Sequence, residues 1–519
     1  SSAPTQTASG SSDSGNPKII AVIRYDDTTP AAGAVARIRP ADYLSGGSSS
    51  GDSLVTDDSG RIVVDSLAEG QYRMEIADNK GFAVLVDFAT ADTAVRVERI
   101  LQPTGSLAGS VVNAQIPGEQ IVQVYGMERR SPVPADGSFS FDNLPAGLFR
   151  LRIADSDTVS GKEMAVGGLQ VNSGSQTGIS ADVRWSNSAM LYLNTTPVGA
   201  GIDSTVVKFP LLVRFPLSDF EFQVSDFQPD GADLRFTKPD GTPLGHEVDF
   251  WDPVTQNAAV WVLMDTVYGA CDTQFIQMRW GNDQAASADS TIYDTSDGFA
   301  GVWHFSPTAP LADATPNGNT VLVDCTDAAS GYIGDARYFD GTDSMFIADA
   351  LTLEPPSLTL SCWIRTDGPQ ERVAKIINKG HTAKPYFSYT IELRYDPSII
   401  GFQIADIDSF YHVLESVYSI PDQKWMHITG SFDGATGIGL FYIDGVPNGR
   451  FTSHAAINYY TESDFGTYLG CQKGGSAFFK GWIDEVRVEN RARTNAWIRL
   501  SYENQRIDSR LIEYGALEF

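Results

Sequence analysis

Two residue patterns in this 519-residue chain could do chemistry: closely spaced carboxylates and clustered aromatic rings. Retaining cleavage of a glycosidic bond needs two carboxyl groups about 5–5.5 Å apart. A strand can supply them at i and i+2, which share a face. The nearest string is Trp482-Ile483-Asp484-Glu485-Val486-Arg487-Val488-Glu489. Strict alternation sets Asp484 with Val486, and Glu485, Arg487 and Glu489 on the opposite face, so an arginine stands where a middle acid is needed. None of the six histidines is spaced H-x-x-x-H or paired with a cysteine, which argues against zinc. His427, inside KWMHITGSFDG, reads as structural. No nucleophile elbow, phosphate loop or dinucleotide fingerprint occurs. The expectation is a protein without catalytic machinery, with glycoside hydrolysis the weakest of three readings.

The aromatic residues point elsewhere. Tyr332, Tyr386, Phe387, Tyr389, Tyr395, Phe410, Tyr411, Tyr459 and Tyr460 concentrate in the last two-fifths of the chain. Exposed rings suit a sugar, which offers an apolar face and a polar rim, although most aromatics serve as core. In a strand one of two adjacent rings must point outward. Phe410, Tyr411, Tyr459 and Tyr460 are therefore the expected ligand contacts.

These residues must be carried by β-structure. Short apolar runs such as Ile19-Ile20-Ala21-Val22-Ile23, separated by Gly, Asp-Gly and Pro, read as strands and turns. A strand is also expected at Asp233–Phe236 between two Asp-Gly dipeptides. The fold class is all-β: tandem β-sandwiches ending in a jelly roll. The length exceeds a single core of roughly 250–300 residues. Residues 1–17, rich in Ser, Gly and Thr, read as a linker. A tail of that kind is ordered only against a neighbouring subunit or the protein's own surface, which motivates self-association into an oligomer or filament.

Asp and Glu total 65 against 37 Lys and Arg, a net charge of −28. That charge repels nucleic acid and anionic lipid. No apolar run is long enough to cross a bilayer. The chain starts at Ser1 without an initiator Met and reads as a mature form. Cys271, Cys325, Cys362 and Cys471 form no C-x-x-C pair. In an exported protein Cys362–Cys471 and Cys271–Cys325 are the first pairings to consider, with buried free thiols the alternative.

TDDSGRIVVDSLAEGQYRMEI and ADGSFSFDNLPAGLFRLRI are copies of one pattern. Gly60 matches Gly137, Ile62 matches Phe139, Leu67 matches Leu144 and Ile76 matches Ile153, at a constant offset of 77 residues. The pattern resembles the carboxypeptidase regulatory-like domain, a small transthyretin-like sandwich, over residues 18–102 and 103–184. Residues 185–295, with VVKFPLLVRFP, DGADLRF, AAVWVLMDTV and a closing WGN, resemble an uncharacterised bacterial domain found near biopolymer-transport proteins. Residues 296–519, with GVWHF, DATPNGN, LTLSCWIRT, FKGWIDEVRV and ARTNAWIRLSYENQ, resemble the LamG-like, concanavalin A-like jelly roll. Thr494–Gln505 would be its closing helix, and the tail after it an edge strand.

The resemblance brings further expectations. A Ca²⁺ ion at the sandwich edge would be held by Asp313 and Asp484 with oxygens of Asn317 and Asn319, although such Asx residues also build turns. Concanavalin-like glucanases carry an E-x-D-x-E triplet, which WIDEVRVE lacks. The expected function is non-catalytic binding or adhesion at the bacterial cell exterior, with a glycan or a surface protein as partner. A structural subunit of a surface filament or layer is the alternative.

Overall fold

The computed structural model describes residues 18–26, 28–45, 53–90, 95–114, 118–155, 163–215, 227–288, 290–380, 384–459 and 465–514. Strands dominate, and Asn495–Gln505 is the single α-helix among these residues. None of the described helices is long and apolar enough to cross a membrane.

The sequence repeat is also a repeat of topology. Strand Ile19–Arg24 lies between Arg61–Val64, antiparallel, and Val95–Ile100, parallel. Strand Gly105–Val112 lies likewise between Ser138–Leu144, antiparallel, and Gln176–Asp182, parallel. The facing sheets correspond too. Ser53–Val55, Val35–Pro40, Gln71–Ala77 and Phe82–Ala89 occur in the same order as Arg130–Pro132, Gln120–Val124, Gly147–Asp155 and Glu163–Val171. The matched residues Ile62 and Ile76 lie in the first core, Phe139 and Ile153 in the second. Gly60 and Gly137 are required by geometry. Their φ angles are +75° and +81°, and a Cβ would stand 2.1 Å from the Ile23 carbonyl oxygen and 2.4 Å from that of Val111.

The second repeat shares a sheet with the next domain. Glu163–Val171 pairs with Asn187–Leu193, which pairs with Gln274–Trp280, making one nine-stranded sheet. A separate three-stranded sheet holds Val206–Phe215, Asn257–Val267 and His246–Asp252. The strand expected at Asp233–Phe236 begins later, at Arg235–Thr237. Asp233 is occupied instead, its carboxylate accepting the amides of Gln228, Gly281 and Asn282.

Beyond Phe299, an eight-stranded and a seven-stranded sheet face one another. Alternate residues such as Phe339, Leu360, Ile391, Phe402, Phe441 and Val488 fill the space between them. The reverse face of the eight-stranded sheet is covered. Phe299, Val302 and Tyr442 share a core with Leu212, Trp261 and Tyr293 and with Trp497, Ile498 and Leu500 of the helix. The helix begins at Thr494, whose hydroxyl accepts the Trp497 amide. It then closes the seam. The Asn504 side chain bonds both backbone groups of Leu212 (2.7 and 3.0 Å), and Trp363 Nε1 donates to Gln505 Oε1 (2.7 Å). The segment after it, Ile512–Tyr514, adds to Leu191–Leu193 in the nine-stranded sheet instead of to the jelly roll.

All four cysteines are free thiols, so neither considered disulfide is formed. Cys362 lies in the jelly-roll core, and burial pushes the Cys471 thiol up to about 11.

Candidate functional site

The ring pair Phe410-Tyr411 sits on the hairpin joining Ile400–Ala405 to Tyr411–Glu415, the edge of the seven-stranded sheet. Asp406 builds the turn. Its Oδ1 accepts the amides of Asp408 (3.0 Å) and Phe410 (2.9 Å), and its Oδ2 lies 2.7 Å from His412 Nε2. Burial raises the Asp406 carboxyl, but His412 and the Phe410 amide outweigh it and hold the group below its ordinary value. Ser409 completes the turn with φ +64°. The result is a rigid support for exposed rings: Phe410 is 66% and Tyr411 39% exposed. Both rings face outward, contrary to the alternation expected of the pair, because Phe410 belongs to the turn and only Tyr411 to the strand. Tyr386 is exposed beside them and its amide bonds the Tyr411 hydroxyl (3.1 Å). Tyr459 is placed differently: it packs against the jelly-roll core and donates to the Pro355 carbonyl (2.9 Å). Tyr460 lies outside the described residues.

Next to this edge, the outward face of the same sheet carries a cross-strand row that sequence patterning does not reveal: Tyr468, Asn378, Thr390, Gln403. Their strand neighbours Ile377, Ile391 and Phe402 point into the core, so the row points away from it. Neither amide atom of Asn378 has a hydrogen-bond partner, nor does Gln403 Nε2, although both side chains are buried. Isolated Asn and Gln carry no periodic signal, and only the register reveals the row.

The acidic string belongs to a buried charged cluster. Register between Leu358–Thr366 and Lys480–Glu489 shifts between Asp484 and Arg487, and Glu485 has φ +50°. This β-bulge breaks the expected alternation: Val486 joins Ile483 in the core, while Asp484 and Arg487 lie opposite Trp363 and Ser361. A second register shift, at Val248/Phe250, brings out Asp249. The two irregularities aim both acids at His304. His304 Nδ1 is 2.6 Å from Glu485 Oε1 and 3.9 Å from Asp249 Oδ2, and Arg487 donates to Glu485 Oε2 (2.8 Å). The His304 ring stacks on Trp261 at 5.6 Å, and the Arg487 guanidinium lies 4.5 Å from the same ring. Ser306 and Trp261 donate to Asp249.

All four charged groups are buried. Burial lowers the imidazole, but the charges of Glu485 and Asp249 outweigh it and hold His304 at about 9. Burial pushes Asp249 up to about 6, and pushes Asp484 up strongly with help from Glu485. Burial also raises Glu485, yet His304 and Arg487 more than reverse that. Among the described residues, Asp249, His304 and Glu485 are the group with three metal-capable atoms within 4.8 Å of one another. His304 and Arg487 lie against its two carboxylates.

The residues expected to hold Ca²⁺ are divided between two tasks. Asp313 accepts the amides of Val302, Thr315 and Asn319 and the Thr315 hydroxyl, all at 2.8–3.0 Å. Asn317 and Asn319 donate to the Ala300 carbonyl. Asn319 Oδ1 accepts the Thr352 hydroxyl. Asp484 Oδ2 instead accepts the amides of Tyr332 (2.8 Å) and Ile333 (2.9 Å). With its oxygens given to N–H and O–H donors, the Asp313 loop does not fit a hard cation wanting six to eight oxygen ligands.

Residues 339–499 match the model of the Concanavalin A-like lectin/glucanases superfamily, and residues 230–306 match a Domain of unknown function (DUF2341). The second match crosses the expected boundary at residue 295. The chain is thus an all-β protein with a concanavalin A-like domain towards its C-terminal end. No curated protein matches it. Among solved structures it is similar to the binding domain of Paraclostridial Mosquitocidal Protein 1, at 13% identity over 40% of this chain and 52% of that one, with a TM-score of 0.34. It is also similar to domain 4 of AbnA, a GH43 extracellular arabinanase from Geobacillus stearothermophilus, solved with arabinotriose (20% identity, 39% of this chain, 96% of that one, TM-score 0.33). A third is the receptor binding domain of botulinum neurotoxin D (16%, 40% and 52%, TM-score 0.32). The chain spans about half the length of the two toxin domains.

Proposed function

We propose that this is a non-catalytic binding protein of the cell exterior, whose concanavalin A-like domain takes a glycan at the sheet edge formed by Phe410, Tyr411 and Tyr386. The observation that carries the reading is two exposed rings on a turn made rigid by Asp406. Rigid, solvent-facing aromatics lose little entropy on stacking against a sugar ring. Glycoside hydrolysis is disfavoured because Asp249, Asp484, Glu485 and Glu489 are all buried. The two leading repeats, by their resemblance, serve as spacers. Residues 1–17, which motivated the filament reading, lie outside the described residues.

The test is a glycan array followed by titration of any hit. Phe410→Ala and Tyr411→Ala should each weaken binding about tenfold, or roughly 1.4 kcal/mol, with the melting temperature unchanged. A glycan whose affinity survives both substitutions would place the site elsewhere. Retention of a surface protein instead of any glycan would change the ligand class.

A further inference from the structure

A cavity of about 740 Å³ lies where the second repeat meets the adjoining domain, far in sequence from the aromatic edge. In a chain of net charge −28 its walls are unusual. Among the described residues lining it are three guanidiniums, Arg184, Arg235 and Arg279, and one carboxylate, Asp182. Arg184 holds Asp182 through Nε (3.0 Å) and Nη2 (2.6 Å). Arg279 must share that carboxylate at 3.8 Å. Yet Arg279 is the more buried cation, only 4% exposed: its Nη2 donates to the Ser180 carbonyl (2.7 Å) and to Gln277 Oε1 (3.0 Å), but its Nε has no hydrogen-bond partner. Thr237 Oγ1, also in the lining and buried, has none either. Burial, and to a lesser degree Arg184, pull Arg279 below its ordinary value.

A buried cation paired with half a carboxylate is costly unless further negative charge reaches it. The wall geometry describes what would bring that charge. Trp185 lies between Arg184, 4.9 Å from its ring, and Arg235, 5.8 Å from it. Leu244 and Pro243 supply an apolar side. Arg235 is held in place by the carbonyls of Ala232, Leu234 and Ala286, which take three of its N–H donors and leave its positive charge at the wall.

We infer that this cavity is a second binding site, taking a compact organic anion whose carboxylate or phosphate meets the arginines while its ring-sized body packs against Leu244 and Pro243. The volume suits one small molecule, and three guanidinium charges against one carboxylate suit an anion. The site is independent of the aromatic edge, so either can fail alone.

The experiment is calorimetric titration of the full chain with galacturonate, benzoate and inorganic phosphate, and with galactose and benzyl alcohol as uncharged counterparts. Binding of at least one organic acid tighter than about 1 mM, weakened at least tenfold in Arg184→Ala and retained in Arg184→Lys, is the expected result. Affinity should also fall with added sodium chloride. Arg184 has an exposed side chain but pairs with the buried Asp182, so thermal melting checks that Arg184→Ala keeps the fold, and Arg184→Lys keeps a cation on that carboxylate. Phosphate binding as tightly as the organic acids would overturn the ring-sized body. Equal binding of the uncharged counterparts, an unchanged Arg184→Ala, or no binding by any acid would overturn the site.

Discussion

His304 shows what a single residue does in this protein. It neutralises two carboxylates from different parts of the chain, and removing it leaves both buried. His304→Ala should therefore cost about 3–5 kcal/mol in urea unfolding at pH 7. The pH dependence has a definite sign. A histidine raised to about 9 in the folded state from an ordinary 6.5 contributes its full stability below pH 6.5 and loses it as pH rises through 9. The gap between wild type and His304→Gln should shrink as pH rises from the ordinary histidine value of 6.5 through about 9. A gap that is constant or widens would refute the charged-histidine account. The Asp313 loop yields a second prediction at this scale. Because its oxygens already accept hydrogen bonds, chelator or millimolar Ca²⁺ should shift the melting temperature by less than about 1 °C, whereas a tightly held ion would raise it by several degrees.

Turns and bulges matter most at the scale of the element. The Gly60 and Gly137 turns were readable from the sequence because a positive-φ turn has a residue signature. Gly137→Ala should destabilise the second repeat by about 1–3 kcal/mol, since the Cβ would meet the Val111 carbonyl oxygen at 2.4 Å. Chemical unfolding followed by a probe in that repeat measures it. The bulges at Asp249 and Glu485 were not readable. Alternation predicts faces only while the register holds, and the register is set by the partner strand. For that reason alternation places Val486 of the WIDEVRVE string on the wrong side.

At the scale of the molecule, one core joins residues from Ala189 to Leu511. The helix and Ile512–Tyr514 return the chain end to the domain before the jelly roll. Those parts should unfold together, in a single calorimetric transition. Truncation before Thr494 should expose the apolar residues of Val206–Phe215 and lower the solubility of the remaining chain. Two well-separated transitions for these parts, or a soluble, cooperatively folding truncation, would show that the seam is dispensable.

The sequence alone determined the all-β class, the two-copy repeat and the concanavalin-like domain, because period-2 burial, turn glycines and motif order are local properties of the chain. Of the four rings it offered as ligand contacts, Phe410 and Tyr411 are exposed and Tyr459 packs on the core. Only the tertiary structure decided the rest. The charged seam, the Asn378–Gln403 row and the arginine-lined cavity each combine residues distant in sequence, and their burial, register and pairing exist only once the sheets have packed.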